Sequence, residues 1–392
     1  MKNVFILSAV RTPLGSFSGL FSEVPAVQLG ATAIKGGLER AGVNPGQVDE
    51  VFMGCVLTGG LGQAPARQAT LYSGIPNTVP CTTVNKVCAS GAKAVMFGSQ
   101  SIELGLNDLV VAGGMENMTQ TPYYILKGRS GYRYGNGELV DGLVKDGLLD
   151  VYKQMVMGTY ADATAEKFGI TREEQDAFAV QSYKRAAQAT ESGAFRKEIV
   201  PVMVPQRKGD PLEVWEDEEY KRVDFSKIPA LKPAFSKDGT VTAANASTIN
   251  DGAAALVLAS EGKVKELGLK PIARIVSYGD AAHEPEWFTT APAKAAQVAL
   301  KRAGLQLGDI DYFEVNEAFA VVSLVFLKEF GIPQEKVNVF GGAVSIGHPL
   351  GASGARILVT LINVLQQKGG RYGMAAICNG GGGASAVIVE RL

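Results

Sequence analysis

At 392 residues, with 46% hydrophobic and 20% charged content, the chain is long enough for two or three domains and a sizeable core. A formal net charge of −1 excludes the basic footprint of a nucleic-acid binder or an anionic-membrane binder. Four cysteines without a CxxC pair, and only two histidines, argue against a disulfide framework and a zinc site, and fit a reducing, cytoplasm-like compartment.

Taken in order, strand-like and helix-like runs alternate. Met1-Lys2-Asn3 leads straight into Val4-Phe5-Ile6-Leu7, so no signal or transit peptide is expected. A turn-rich segment, residues 11–19, precedes a helix from about Pro25 that places Ala26, Leu29, Ala33, Ile34 and Leu38 on one face and closes near Gly42. Val51-Phe52-Met53 reads as a strand, followed by a glycine-rich loop and a helix reaching Leu71. Residues 82–93 read as a loop that launches a helix, with Cys88 at the launch point, where unpaired N–H groups and the helix dipole favour thiolate. The run 108–114 is apolar without alternation, as in a strand covered on both faces. From about Met118 to Thr248 the texture changes to a tyrosine-rich insertion with a helix over 171–192, opened by a capping box at Thr171-Arg172-Glu173-Glu174. Its charged tract 216–222 is either solvated surface or part of a binding face. The core pattern resumes after Asn250-Asp251-Gly252, and no apolar run, 253–259 included, is long enough to span a bilayer.

The chain also repeats itself. Ala89-Ser90-Gly91-Ala92-Lys93 returns about 263 positions later as Ala352-Ser353-Gly354-Ala355-Arg356, again opening an apolar helical run. Ala41-Gly42-Val43 is answered at nearly the same offset by Ala303-Gly304-Leu305, each followed by a strand-like run. The third echo, residues 252–258 with 383–389, comes at about half that offset, which implies an insertion of about 130 residues in the first copy. Duplication of this kind would bring two equivalent helix starts together, one bearing Cys88 and the other preceded by His348.

No GxxxxGK[ST], GxGxxG after a strand, or GxSxG elbow is present, which argues against NTPase, dinucleotide and serine-hydrolase chemistry. Cys88, His348, Cys378 and Asn316-Glu317-Ala318-Phe319-Ala320 each lie where a strand-like run gives way to loop or helix, the usual ligand end of such sheets. A Cys with a His is the minimum for nucleophilic acyl transfer. Cys378-Asn379-Gly380-Gly381-Gly382-Gly383 could bring backbone N–H groups close to a substrate oxygen. His283 has no comparable setting and is expected to be surface or structural.

Asn85-Lys86-Val87-Cys88-Ala89-Ser90-Gly91, Asn316-Glu317-Ala318-Phe319, Gly341-Gly342-Ala343 with Gly347-His348-Pro349, and Cys378-Asn379-Gly380-Gly381-Gly382 resemble the signature blocks of thiolases. Arg11-Thr12-Pro13, Gly113-Gly114-Met115-Glu116 and Asn250-Asp251-Gly252-Ala253 match as well, so the resemblance covers essentially the whole chain. It implies an α/β fold of two similar five-stranded halves stacked as α-β-α-β-α layers. Residues 1–117, completed by about 249–270, would form the N-terminal half, 118–248 an inserted loop domain for CoA, and 271–392 the C-terminal half. The resemblance also implies reversible condensation of two acetyl-CoA to acetoacetyl-CoA plus CoA through an acetyl-Cys88 intermediate. His348 would activate Cys88, and Cys378 would act as acid or base on the second substrate. Asn316 would hold a water that, with His348, forms one oxyanion hole, and the N–H groups of Cys88 and Gly380 would form the other.

The insertion is similar to that of mitochondrial potassium-activated acetoacetyl-CoA thiolases. By that likeness Tyr183, Arg222, Val223, Asp224, Lys227 and Ser247 would contact CoA, and Met157 would line the acyl pocket. Tyr183, Ala243, Ala244, Ala246 and Val344 would bind potassium, mostly through backbone oxygens, and the assembly would be a homotetramer of tight dimers. Coenzyme A enters as substrate and product, with no covalent cofactor. Many such relatives have His-Met-Gly where this chain has Val156-Met157-Gly158, which bears on acyl preference. A ketoacyl synthase of the same fold and a silent acyl-CoA carrier are the alternatives; Cys378 argues against the first and the intact Cys88, His348 and Asn316 against the second.

Overall fold

The computed structural model describes residues 2–392. The first half runs β1 (Val4–Arg11), α1 (Ala26–Ala41), β2 (Glu50–Gly54), α2 (Pro65–Tyr72), β3 (Cys81–Val84), α3 (Ser90–Glu103) and β4 (Leu109–Asn117). After α4 (Met157–Phe168) and α5 (Arg172–Glu191) of the insertion come β5 (Asn250–Ser260), β6 (Ala273–Ala282), α6 (Ala291–Ala303), β7 (Tyr312–Val315), α7 (Ala320–Phe330), α8 (Leu350–Lys368), β8 (Tyr372–Asn379) and β9 (Gly383–Arg391).

The expected echoes occupy matching places. One half of the main sheet runs β3-β2-β4-β5-β1 and the other half β7-β8-β9-β6, with parallel β2–β3, β2–β4 and β7–β8 pairs and antiparallel pairs elsewhere. A single parallel bridge between Phe313 and Val337 stands where the second half would carry its fifth strand. The halves are not separate sheets. Three residue pairs, Val4–Ile275, Phe5–Arg274 and Ile6–Ala273, join β1 to β6 into one continuous sheet. Helices α3 and α8 pack on each other and on strands of both halves, while α1 and α2 cover one outer face and α6 and α7 the other. Burial on both faces explains why β4 and β5, buried along their whole length, show no polar alternation.

The two middle helices meet at their repeated glycines. A Cβ on Gly91 would lie 2.7 Å from the backbone N of Ala355, and one on Gly354 would lie 2.4 Å from that of Ala92. Only glycine permits this approach, and it is what sets the Cys88 and His348 loops side by side.

The insertion is bound into the core through its charged tract. Asp217, although in that tract, is buried and pairs with the buried guanidinium of Arg11 at the end of β1, which also pairs with Glu198. Glu218 accepts from the N–H groups of Ser16 and Leu20, both at 3.0 Å. The solvated-surface reading therefore holds for Glu216 and Lys221, which pair with each other at the exposed edge, but not for the middle of the run.

Candidate active site

Cys88 lies two residues ahead of α3, with Ala89 as the N-cap, rather than at the helix start itself. Val87 before it holds φ +48°, a left-handed conformation rare for a β-branched residue. Polar contacts on both sides support the turn. Asn85 Oδ1 accepts from Val87 N at 3.0 Å, Lys86 N donates to Ser90 Oγ at 2.8 Å, and Ser90 donates to Val87 O at 2.6 Å. The Lys86 ammonium reaches Asp280, the Ser385 hydroxyl at 2.8 Å and Ala384 O at 3.2 Å, which ties this loop to the hairpin carrying Cys378.

His348 precedes α8. Gly347 before it has φ +109°, and a Cβ there would lie 2.2 Å from the Asn250 side chain, whose Oδ1 accepts from His348 N at 2.9 Å. Cys378 ends β8 opposite Ala384, and Asn316 follows β7. These positions gather at the carboxyl ends of β3, β7 and β8, the ligand end of parallel strands.

Cys88, His348 and Gly380 share the wall of a cavity of about 570 Å³, large enough for an acyl-pantetheine end. Cys378 is fully buried beside it, close enough for charge on Cys88 to be felt there. Asn316 is also buried; its Nδ2 lies 3.5 Å from His348 Nδ1, and its Oδ1 faces Arg356 Nη2 at 3.4 Å.

The thiolate expected at Cys88 is not the resting state. Burial pushes its pKa up to about 12, against a smaller downward pull from the N–H groups of Gly380 and of Cys88 itself. The dipole argument fails because the half-buried thiol lies outside the helix, at the cavity wall, where the cost of burying charge outweighs the N–H groups that face it. Burial, helped by the Arg356 charge, lowers His348 to about 3, so the imidazole is neutral. Burial likewise raises Cys378 well above a normal thiol. The pair is therefore thiol and imidazole, not an ion pair.

Of the remaining residues named from sequence, Met157, Arg222, Ser247, Ala243 and Ala246 line the same cavity, as does Val156. Asp224 and Lys227 pair with each other at the exposed surface, 3.1 Å apart, and do not line it. Tyr183 is buried in a small cluster with Val344 and Ala179, against which Val223 packs, behind the cavity wall rather than on it. Ala244 is buried nearby. Among the described residues no loop, turn or side-chain hydrogen bond ends on the carbonyl oxygens of Ala243, Ala244, Ala246 or Val344, and the carboxylates of Glu219 and Glu317 lie near Tyr183. Carbonyl oxygens are the donor type that a hard monovalent cation takes, so the residues present are chemically compatible with one. His283 stands off the cavity; its N–H donates to Gly382 O at 3.0 Å, supporting the Cys378 hairpin through backbone alone.

Three supporting residues carry no role in the sequence reading: Glu116, Asn250 and Ser353. Glu116 accepts from Val56 N, Leu57 N and Gly351 N at 3.0, 3.1 and 2.8 Å, which binds the end of β4 to the start of α8. Burial raises its pKa to about 7 despite those donors. Asn250 and Glu116 stand in motif blocks and were findable there. Of the cavity's aromatic wall, Phe319 stands in the Asn316 block, whereas Phe235 and Phe288 had no signal, being single residues far apart in the chain.

Comparison with known proteins agrees with this geometry over the full length. The pattern of the thiolase N-terminal domain matches residues 4–262, and that of the thiolase C-terminal domain matches 269–391. The chain is 55% identical over 390 residues to acetyl-CoA acetyltransferase of Schizosaccharomyces pombe, covering 99% of both. It is 54% identical over 393 residues to the mitochondrial acetyl-CoA acetyltransferase of Homo sapiens, covering 100% of this chain and 91% of that one. The crystal structure of Acat5 thiolase from Ascaris suum in complex with coenzyme A superposes with a TM-score of 0.95 at 48% identity, over 100% of both chains. That of Bacillus anthracis acetyl-CoA acetyltransferase superposes with a TM-score of 0.97 at 42% identity, over 100% of this chain and 99% of that one. With a duplicated core, two thiols and an imidazole at one cavity, and family patterns across both halves, the chain belongs to the thiolase family.

Proposed function

We propose that the enzyme is an acetyl-CoA C-acetyltransferase, condensing two acetyl-CoA to acetoacetyl-CoA and CoA and running the reverse thiolysis. The observation that carries this is the shared cavity wall of Cys88, His348 and Gly380 with Cys378 directly behind it. The Cys88 proton passes to His348 Nε2 as sulfur bonds to the thioester carbonyl, and the departing CoA sulfur takes that proton as its bond to the acyl carbon breaks. The N–H groups of Cys88 and Gly380, directed at the sulfur in the resting site, stand where the carbonyl oxygen gains charge. Asn316, its Oδ1 turned to Arg356, leaves Nδ2 as donor on the opposite side. Cys378 then gives its proton to His348 and takes the α-proton of the second acetyl-CoA; the resulting carbanion bonds to the acetyl carbon as the Cys88 sulfur leaves and takes the proton from His348, and thiolysis runs the same transfers in reverse.

CoA would lie with its acyl end by Met157 and its phosphates toward Arg222 at the cavity mouth, beside Ser247, with Asp224 and Lys227 on the surface outside and Tyr183 and Val223 supporting the wall from behind. The carbonyls around Ala243–Ala246 and Val344 would hold potassium, which would steady the cavity floor. A homotetramer built from dimers, in a cytoplasm-like compartment, completes the reading.

Incubation with acetyl-CoA followed by intact mass should show one acetyl adduct that Cys88→Ala abolishes. An adduct that survives Cys88→Ala overturns the assignment. Thiolysis should be fastest with acetoacetyl-CoA among ketoacyl chain lengths and rise with K⁺; a long-chain preference would place the enzyme with a different substrate class.

A further inference from the structure

The duplicated serine does different work in the two halves. In the first, Ser90 Oγ accepts from Lys86 N and donates to Val87 O, bracing the nucleophile's turn. In the second, Ser353 Oγ lies 2.6 Å from His348 Nδ1 and donates to Pro349 O at 2.9 Å. A hydroxyl has a single proton. Once that proton is committed to Pro349 O, the only bond open between Oγ and Nδ1 is one in which the ring nitrogen donates. Ser353 is fully buried, so no solvent competes. The opposite arrangement would break the Pro349 bond, the one other hydrogen bond the buried hydroxyl makes. Asn316 Nδ2 at 3.5 Å from the same Nδ1 is too distant to reverse this.

We propose that Ser353 is a positioning residue that holds His348 as its Nδ1–H tautomer, so that the lone pair of Nε2 faces the cavity as base for Cys88. A carboxylate in this place would anchor the imidazolium as a lasting cation. The serine supplies orientation without a counter-charge, and the buried Arg356 opposes any positive ring. The ring thus relays a proton between Cys88 and the CoA sulfur instead of storing it. The proposal rests on the acyl-transfer reading above and deepens it.

Because the chain has only two histidines, ¹⁵N-imidazole spectra of the whole enzyme contain two rings, and His283→Gln assigns them. The wild-type His348 ring is expected protonated on Nδ1 and bare on Nε2 at neutral pH. Ser353→Ala should mix or invert the tautomers and lower kcat ~10- to 100-fold, less than the roughly 10²–10⁴-fold expected for removing a general base. KM should change by less than about threefold, and Ser353→Thr, which restores the hydroxyl, should recover the Nδ1–H signal. A wild-type ring protonated on Nε2 overturns the proposal, as does a Ser353→Ala enzyme that keeps both tautomer and kcat. The wild-type spectrum decides even should the alanine variant not fold. Loss of the acetyl adduct in wild type, with the tautomer as stated, would instead sink the acyl-transfer reading alone.

Discussion

His348 and Cys88 share a cavity wall, yet neither carries charge at neutral pH, and that sets how the site responds to acid and base. With Cys88 pushed up to about 12, its thiolate fraction should keep growing with pH well past the usual range. Inactivation by iodoacetamide is therefore expected to climb steadily between pH 7 and 10, and a plateau below pH 8 would contradict a neutral resting pair. Replacing His348 by Asn should slow acetylation at pH 7 by about 10²–10⁴-fold. The same burial makes a stability statement. His348 is lowered to about 3 from 6.5, so the unfolded chain binds a proton that the folded one refuses. Its contribution is fully present above pH 6.5 and is lost as pH falls from there toward 3, a loss that His348→Asn should remove from the acid limb of a denaturation-versus-pH curve.

At the scale of elements, the crossing of α3 and α8 carries the site. Gly91→Ala or Gly354→Ala puts a methyl against backbone that cannot retreat, and overpacking of this kind costs about 1–3 kcal/mol. Activity should fall further than stability, since the helices carry the Cys88 and His348 loops. Thermal unfolding and thiolysis rates, measured on Gly308→Ala as a control with no atom near its would-be Cβ, separate the two effects. Glu116 joins β4 to α8 through three N–H donors, and Glu116→Gln turns an amide donor toward at least one of them. We expect a loss of about 1–3 kcal/mol in urea unfolding, since one buried N–H is left without an acceptor.

For the molecule as a whole, the insertion is held by buried charge as well as by packing. Removing Asp217 leaves the fully buried Arg11 with Glu198 as its remaining charged partner. Breaking a buried pair from one side costs about 3–5 kcal/mol. Asp217→Ala should therefore unfold at lower denaturant and expose 118–248 to proteolysis before the core; uniform protection across both regions would show that the insertion is held by other contacts.

Local pattern was enough to reveal much of this protein. The helix at 26–41, the capping box at Thr171, the strand 312–315 and the duplication were legible because periodicity, caps and repeats are properties of neighbouring residues. The motif residues Cys88, His348, Cys378 and Asn316 were visible for the same reason. Other features were decided only in three dimensions. The joining of the two sheets through β1 and β6, the burial of Asp217 inside a charged run, and the neutral state of Cys88 all depend on which distant segment excludes water. Burial and pairing across hundreds of positions are not encoded in any short window, so the ionisation of this site emerged only when the halves were brought together; the serine beside the imidazole is five residues away in the chain, but its hydrogen bonds are set by the turn into α8 and not by the residue types alone.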